Sequence, residues 1–412
     1  MPKAVVFSLG CKVNDVEGAS LVRGLEERGY EVSAKLEYAD LYVLNTCAVT
    51  AEAEKKSRQL LARARKYNPD AKIIVCGCAV QKNAEAFFFR EGVTLVTGAR
   101  QKSRILDLLD ETGIRIDDFD RTYDDMPAPA AVKSRHFIKI QDGCNHFCTY
   151  CIVPYLRGRS RSRSAESILR EALDAKADET VLTGIDISDY RDGERRLADL
   201  LLLLSDVPTR MRLSSLEVNV IDERLLSVAK GMYDFAPHFH LSLQSGADAV
   251  LKRMNRHYTR EQYLEKCSMI YRCFPDAAIT TDIIVGFPGE TEEDFEDSLR
   301  MVGEAGFAQI HCFVYSPREG TPAARMAQIS PTVKEERKGR LLAAAQKCRS
   351  VYDGRYIGRV LEFVPEEKKD GYTYGYTQNY IRTAVPGDVT GRQSVRLVEK
   401  SEEFCIGELY DG

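Results

Sequence analysis

Residues 144–163 read CNHFCTYCIVPYLRGRSRSR. Cys144, Cys148 and Cys151 stand at CxxxCxxC spacing, directly after a β-rich run, HFIKIQ (136–141). Three thiolates this close together can wrap one face of a compact metal centre, yet they do not complete a tetrahedral zinc site. His146 is near, but from between Cys144 and Cys148 it would have to turn back inward. Iron–sulfur cubanes favour thiolate ligands, normally four. Three leave one metal position open, as catalytic sites do and structural sites do not. The bland alternatives are a zinc knuckle completed by a distant residue, or plain buried thiols.

Working outward, HFIKIQ is the first of six strand candidates. The others are TVLTG (180–184), MRLSSL (211–216), HFHLSLQ (238–244), AITTDIIVGF (278–287) and QIHCFVYS (309–316). Helical stretches such as SAESILREALDAKA and ETEEDFEDSLRMVGEA separate them. In the second, Thr291 precedes Asp294 by three residues, close to a capping-box pattern. Six β/α units predict a barrel or partial barrel, with chemistry at the C-terminal ends of the strands. The three-cysteine loop therefore belongs at the mouth.

Upstream, AVVF (4–7), DLYVLN (40–45) and KIIV (72–75) alternate with helical stretches at about Val16 to Arg28, Ala51 to Tyr67 and Gln81 to Arg90. This alternation predicts a parallel α/β sheet. Cys11, Cys47 and Cys78 each follow one of these strands, at the edge where open α/β sheets bind ligands. They form a second three-thiolate constellation. The alternative is that free cysteines are simply often buried. Cys76, two residues before Cys78, points into packing. Cys267, Cys273, Cys312, Cys348 and Cys405 have no metal spacing and read as ordinary thiols. DDFDRTYDDMPAPAA (117–131) reads as a linker. Beyond a charged helix at about Pro331 to Asp353, RVLEFV, GYTYGYTQNYIRTAV and DVTGRQSVRLVE predict a small β-barrel of OB-like size.

The 412 residues, 44% hydrophobic and 29% charged, predict two or three globular domains. No run approaches the ~18 apolar residues of a membrane span, and the N-terminal apolar run is too short for a signal peptide. A reducing, cytoplasmic location follows, where 12 cysteines imply metal or chemistry more than disulfides. A net charge of −4 gives no general affinity for nucleic acid, so RNA contact must be local. Arg157, Arg159, Arg161 and Arg163 follow the cysteine loop and could neutralise phosphates. The alternative is a solvated helix start pairing with acidic helices. Lys55, Lys56, Arg58, Arg63, Arg65 and Lys66 read as the wet face of a helix. Tyr372, Tyr374, Tyr376, Tyr380 and Arg382 suit stacking on single-stranded loops, although tyrosines are also ordinary barrel core.

CNHFCTYCIVPYLRGRSRSR closely resembles the radical S-adenosylmethionine signature. SLGCKVND, NTCAVT and GCAVQ resemble the N-terminal domain of the methylthiotransferases, and the resemblance covers essentially the whole chain. It implies an α/β protein in three parts: a parallel α/β sheet domain (1–120), a radical-SAM partial (β/α)6 TIM barrel (132–350) and a TRAM-like β-barrel (351–412). It also implies two 4Fe–4S clusters, one on Cys144, Cys148 and Cys151, the other on Cys11, Cys47 and Cys78. One S-adenosylmethionine methylates a cluster-bound sulfur. A second gives the 5′-deoxyadenosyl radical that abstracts hydrogen from the substrate. Tyr150, Thr183, Gly184, Ser215, Gln244, Arg256, Ile284 and Gly286 match positions around that cofactor. RNA contacts would fall to the four arginines with Tyr374 and Arg382.

GCKVND, NTCAVTAEAEKKSRQ and RGRSRSR resemble the branch acting on N6-threonylcarbamoyladenosine in the tRNA anticodon stem-loop. Isopentenyladenosine in tRNA and an aspartate of a ribosomal protein are the alternative substrates. The resemblance further implies a low-potential electron donor such as flavodoxin or ferredoxin, and a sulfur donor that the residues do not identify. An RNA-binding module with structural or redox-sensing clusters is the alternative of a different class.

Overall fold

Six N-terminal strands pair entirely in parallel: β1 (Lys3–Ser8), β2 (Glu31–Ser33), β3 (Leu41–Thr46), β4 (Lys72–Gly77), β5 (Val93–Thr97) and β6 (Gly113–Arg115). Their order is β2-β1-β3-β4-β5-β6. The computed structural model describes residues 1–48, 51–100, 102–116, 122–130 and 134–410, without the side chains of 51–54. β2 and β6, of three residues each, are too short to show an alternating pattern in sequence.

Helix α1 (Lys12–Glu26) begins four residues before the apolar period does, because its inward face carries polar Asn14 and Glu17. Helix α2 spans Ala51–Tyr67 as expected. The helix expected at Gln81 to Arg90 is instead two short ones, α3 (Cys78–Lys82) and Glu85–Phe88. They break at Asn83, whose side chain accepts from the backbone N–H of Ala86.

Part of the expected linker, 117–121 and 131, lies outside the described residues. The stretch 122–130 has no helix or strand but is not a loose spacer. Tyr123 Oη donates to the Lys139 carbonyl at 2.8 Å, Asp124 accepts from Ser103 N at 3.2 Å, and Asp125 meets Arg163 Nε at 3.0 Å.

The central strands are β7 (Arg135–Lys139), a short hairpin of β8 (Gln141–Asp142) and β9 (Arg161–Ser162), then β10 (Glu179–Thr183), β11 (Arg210–Leu213), β12 (His238–His240), β13 (Ala278–Val285) and β14 (Gln309–Val314). They form two parallel sheets, β11-β10-β7 and β12-β13-β14, joined by the bridges Met211↔Phe235 and Leu216↔Leu241. Among the described residues nothing pairs β7 with β14, so the six-stranded arc is open there. Ile138, Leu182, Leu213, Phe239 and Ile283 pack against the helices. The alternate positions Phe137, Val181, Arg212, His240, Asp282 and His311 line a cavity of about 710 Å³. The capping box at Thr291 and Asp294 is present, with Thr291 N donating to Asp294 at 3.0 Å.

After the helix Pro331–Gly354, β15 (Val360–Lys369), β16 (Tyr372–Thr377), β17 (Arg382–Pro386), β18 (Gln393–Lys400) and β19 (Cys405–Leu409) close into a small barrel. It docks on the N-terminal ends of the central strands. Arg135 pairs with Glu366, Arg210 with Glu362, and Tyr380 stacks on His238 at 3.9 Å.

Two buried ionic networks fix these parts. In the first, Glu17 of α1 meets Lys102, Lys139 (2.6 Å) and Arg157 (2.9 Å), and Asp142 meets Lys139 (2.8 Å), Arg157 (3.0 Å) and Arg161 (3.0 Å). In the second, Glu179 holds Arg212 (2.7 Å) and Arg135 (2.7 Å). Burial alone would raise the Glu179 carboxyl. Arg212 and Arg135 outweigh it and lower the pKa from 4.5 to about 2. A carboxylate lowered on folding stabilises above its unfolded value, and that stability is lost as pH falls toward the folded one. The urea midpoint should therefore drop between pH 4.5 and 2. The Glu179→Gln protein should show a shallower drop from a lower starting stability. Parallel pH curves for the two proteins would contradict this.

Candidate functional site

The cysteine loop leaves β8 through Gly143, at φ +72°, where a Cβ would collide with the Arg159 carbonyl. Only glycine serves at such a position. Cys144 N donates to Gly158 O at 3.1 Å. Phe147 takes a left-handed φ of +48°, uncommon for a bulky residue. Asn255 holds it there, donating to the carbonyls of His146 (2.9 Å) and Phe147 (3.3 Å). Thr149 is tied to Arg253 O and Met254 O at 2.9 and 3.0 Å.

Each of the three sulfurs receives an N–H. His146 N lies 3.4 Å from Cys144 Sγ, Arg256 Nη1 lies 3.4 Å from Cys148 Sγ, and the Val153 backbone N–H donates to Cys151. Burial pushes the Cys144 thiol up, and the Cys151 thiol up to about 12. Contrary to expectation, His146 does turn inward. Its Nε2 is 3.0 Å from Asp186, and the two form a three-donor group with Cys144.

The three cysteines share a cavity of about 430 Å³ with Tyr150, Thr183, Gly184, Ser215, Gln244 and Arg256. Two expected neighbours do not line it. Ile284 packs with Tyr150 in an apolar cluster, and Gly286 abuts the stem of Lys334, where a Cβ would clash. Asp186 and Glu217 line it without having been singled out. Both are acids just past the ends of central strands, and that position was their signal. Glu217 pairs with Arg256. Gln244 is left-handed at φ +68°, and β12 ends at His240, four residues short of the expected strand.

Cys11 lines the same cavity, although it belongs to the N-terminal sheet. It stands at the start of α1, beyond the end of β1. Gly10, at φ +107°, brings this turn against Cys47, since a Cβ there would lie 2.5 Å from Cys47 Sγ. Parallel register sets Asn45 against Cys76 and Thr46 against Gly77, so Cys47 and Cys78 follow adjacent strand ends. Cys78 is buried, and its charge is coupled to those of Arg157, Lys102 and Cys11. Cys76 points the other way, into an apolar cluster with Val6 and Ile74.

Three of the four arginines expected to meet RNA are internal. Arg157 is 1% exposed and bonds Asn14 (2.5 Å), Glu17 and Asp142. Arg161 is held by Asp142, and Arg163 by Glu171 and Asp125. Buried ion pairs leave no charge for phosphates. Arg159 is exposed, and its guanidinium lies 4.4 Å over the Phe147 ring. Tyr374 and Arg382 are half-buried on the C-terminal barrel, with the guanidinium 5.6 Å from the ring.

Residues 138–302 match the model of the radical SAM superfamily, and residues 3–98 match that of uncharacterized protein family UPF0004. The chain is 37% identical to the threonylcarbamoyladenosine tRNA methylthiotransferase MtaB of Bacillus subtilis, over 99% of this chain and 96% of that protein. It is also 37% identical to the tRNA-2-methylthio-N(6)-dimethylallyladenosine synthase of Alkaliphilus oremlandii, over 99% of this chain and 92% of that one. This chain belongs to the radical S-adenosylmethionine methylthiotransferases. The fold is also similar to that of the cobalamin-binding radical S-adenosylmethionine methyltransferase TsrM from Kitasatospora setae. The TM-score is 0.58 at 13% identity, covering 78% of this chain and 76% of that one.

Membership implies S-adenosylmethionine and a 4Fe–4S cluster. The donor set fits both. Three thiols with N–H groups aimed at their sulfurs suit thiolates bound to iron. The cavity beside them offers the Asp186 and Glu217 carboxylates to an ammonium group. No helix among the described residues is long and apolar enough to cross a membrane.

The arginines separate by experiment. Arg157→Ala should cost about 3–5 kcal/mol in urea unfolding, because it leaves Glu17 and Asp142 short of a buried partner. Arg159→Ala should leave the midpoint unchanged within about 0.5 kcal/mol. Equal midpoints for the two variants would contradict the internal role of Arg157.

Proposed function

We propose that Cys144, Cys148 and Cys151 hold the 4Fe–4S cluster that engages S-adenosylmethionine, and that Cys11, Cys47 and Cys78 hold a second. The substrate is N6-threonylcarbamoyladenosine beside the tRNA anticodon, and the product is its 2-methylthio derivative. The observation that carries this reading is the single chamber lined by Cys11 from one sheet and by three cysteines from the other. A sulfur-inserting reaction needs its radical source and its sulfur source at one substrate.

When bound, the two clusters supply the electron that splits S-adenosylmethionine and the sulfur that is inserted. The chain's own residues do the rest. Arg256 donates to Cys148 and is itself fixed by Glu217 and by Tyr258, 3.1 Å from its Nε. Thr183, Ser215 and Gln244 offer hydroxyl and amide groups at the chamber wall. Tyr150, edge-on to Phe287 at 6.5 Å, backs that wall with apolar surface and excludes water.

The RNA would meet Arg159, the Tyr374–Arg382 pair, and the exposed Lys55, Lys56, Arg58, Arg63 and Lys66 on α2. The parts we assign are 1–120 for the second cluster, 132–350 for the radical barrel and 351–412 as a TRAM-like unit. Electrons would come from a low-potential donor such as flavodoxin or ferredoxin, in the cytoplasm. The threonylcarbamoyl branch is favoured by GCKVND and NTCAVTAEAEKKSRQ. The dimethylallyl branch remains the second reading, because a relative of that name is equally similar.

Anaerobically reconstituted protein should release 5′-deoxyadenosine from S-adenosylmethionine with dithionite. The Cys144→Ala/Cys148→Ala/Cys151→Ala protein should release none yet keep about half of the iron and sulfide. Loss of all iron would count against a second cluster. Nucleoside mass spectrometry of tRNA from a deletion strain should show 2-methylthio-N6-threonylcarbamoyladenosine absent. Its unchanged presence would refute the substrate assignment.

A further inference from the structure

The 710 Å³ cavity inside the barrel shares Cys11, Lys12, Ser214 and Ser215 with the cysteine chamber, so the two meet. It lies at the open seam, with Phe137 of β7 on one side and His311 and Phe313 of β14 on the other. An enzyme whose substrate needed only an apolar pocket would line this space with apolar side chains. Here charged and polar side chains share the wall with apolar ones, and three buried donors on it lack a partner among the described residues.

The acids are already matched. Glu179 is held by Arg212 and Arg135, Glu366 by Arg135, Asp282 by His240 Nε2 at 3.3 Å, and Asp15 by Lys12 at 3.9 Å. The donors are not. Arg212 is 2% exposed, with its Nε and Nη2 taken by Glu179 and by the carbonyls of Thr377 and Gln378. Its Nη1 has no hydrogen-bond partner among the described residues. Arg135 Nη2 and His238 Nδ1 are also buried without one. His238 uses its other nitrogen on Thr280 Oγ1 at 2.9 Å. Buried polar groups are as a rule hydrogen-bonded, and a cluster of exceptions at one cavity calls for a ligand. Two guanidiniums call for an anion that accepts from more than one nitrogen.

We infer that this lumen is a carboxylate subsite, in which Arg212 and Arg135 take the threonine carboxylate of the N6 substituent and determine specificity. The inference rests on the substrate proposed above. In adenine, C2 and the C6 that carries N6 flank N1, so the C2–H bond and the N6 arm leave the ring in divergent directions. A base with C2 in the cysteine chamber can therefore place its N6 arm in the adjoining lumen, which shares Ser214 and Ser215 with the chamber. Arg212 precedes Ser214, a residue of the chamber wall, by two positions, or about 7 Å of strand. That is within reach of a threonylcarbamoyl arm. An isopentenyl arm has no acceptor and would leave the same donors unpaired. A site built to hydrogen-bond a substrate discriminates strongly against an analogue that lacks the group.

The test uses reconstituted holoenzyme and three synthetic anticodon stem-loops. They carry N6-threonylcarbamoyladenosine, its threonine methyl ester, or isopentenyladenosine. For the wild type, kcat/KM should fall by about tenfold or more on going from acid to ester, and at least as far for the isopentenyl RNA. Arg212→Lys and Arg135→Lys should narrow the ratio of acid to ester turnover measured within each variant, whereas a purely structural role would lower both turnovers alike and leave the ratio unchanged. Stem-loop affinity, read by fluorescence anisotropy, should follow the same order. If a variant fails to fold, the acid–ester comparison on the wild type decides alone. Equal turnover of acid and ester overturns the subsite and leaves the substrate reading standing. Turnover of the isopentenyl RNA with none of the acid overturns both.

Discussion

Glu17 and Arg157 stand at the centre of the molecule's internal constraint. One lies on the first helix of the N-terminal sheet, the other 140 residues later, just past the cysteine loop. Around them Lys102, Lys139 and Arg161 add positive charge, and among the described residues only Asp142 adds a further carboxylate in contact with them. All of these side chains are 8% exposed or less. Four cations against two carboxylates is an uneven balance for a dry interior, where an uncompensated charge is costly. Cys78 is the next neighbour able to carry negative charge; burial raises its thiol, against the opposing pull of Arg157 and Lys102. Thiolates held by a metal there would even the account. The network thus does two things: it fixes the sheet against the barrel, and it makes the ground beneath the N-terminal cysteines electropositive.

Much else depends on that docking. Cys11 reaches the chamber of Cys144, Cys148 and Cys151 only because α1 lies against β7, where Lys12 sits 5.1 Å over the Phe137 ring. The seam between β7 and β14 stays open, flanked by the N-terminal sheet on one side and the small C-terminal barrel on the other. The C-terminal barrel closes the opposite end through Glu362, Glu366 and Tyr380. What remains is one connected interior, with thiols at its top and arginines at its floor.

The strands and the cysteine spacings were legible because both are local: alternation over a few residues, and ligands separated by two or three. The arginine run misled for an equally local reason. Arg157, Arg159, Arg161 and Arg163 share a period of two, so they read as one face. Gly158, at φ +81°, breaks that period between the helix Val153–Arg157 and β9. Arg159 turns out to solvent, while its neighbours turn in toward acids distant in sequence. Nothing near Arg157 announces Glu17. The lumen histidines show the converse. His238 and His240 alternate with apolar neighbours in HFHLSLQ, but only the folded arc shows that their side of the strand faces a cavity and not water. Ile284 and Gly286 were placed by resemblance, and packing against Tyr150 and Lys334 takes them off the chamber wall.

The position of Arg157 also bears on how such a chain is inherited. By sequence it belongs to the barrel; by charge it belongs to the sheet. A recombinant that joined this barrel to a sheet without an acid at position 17 would leave four buried cations to Asp142 alone. Exchange of Glu17 alone removes the acid shared by Arg157, Lys102 and Lys139, and exchange of Arg157 alone removes the cation shared by Glu17 and Asp142. The ion pair thus makes the sheet and the barrel dependent on each other's sequence, although each has a hydrophobic core of its own.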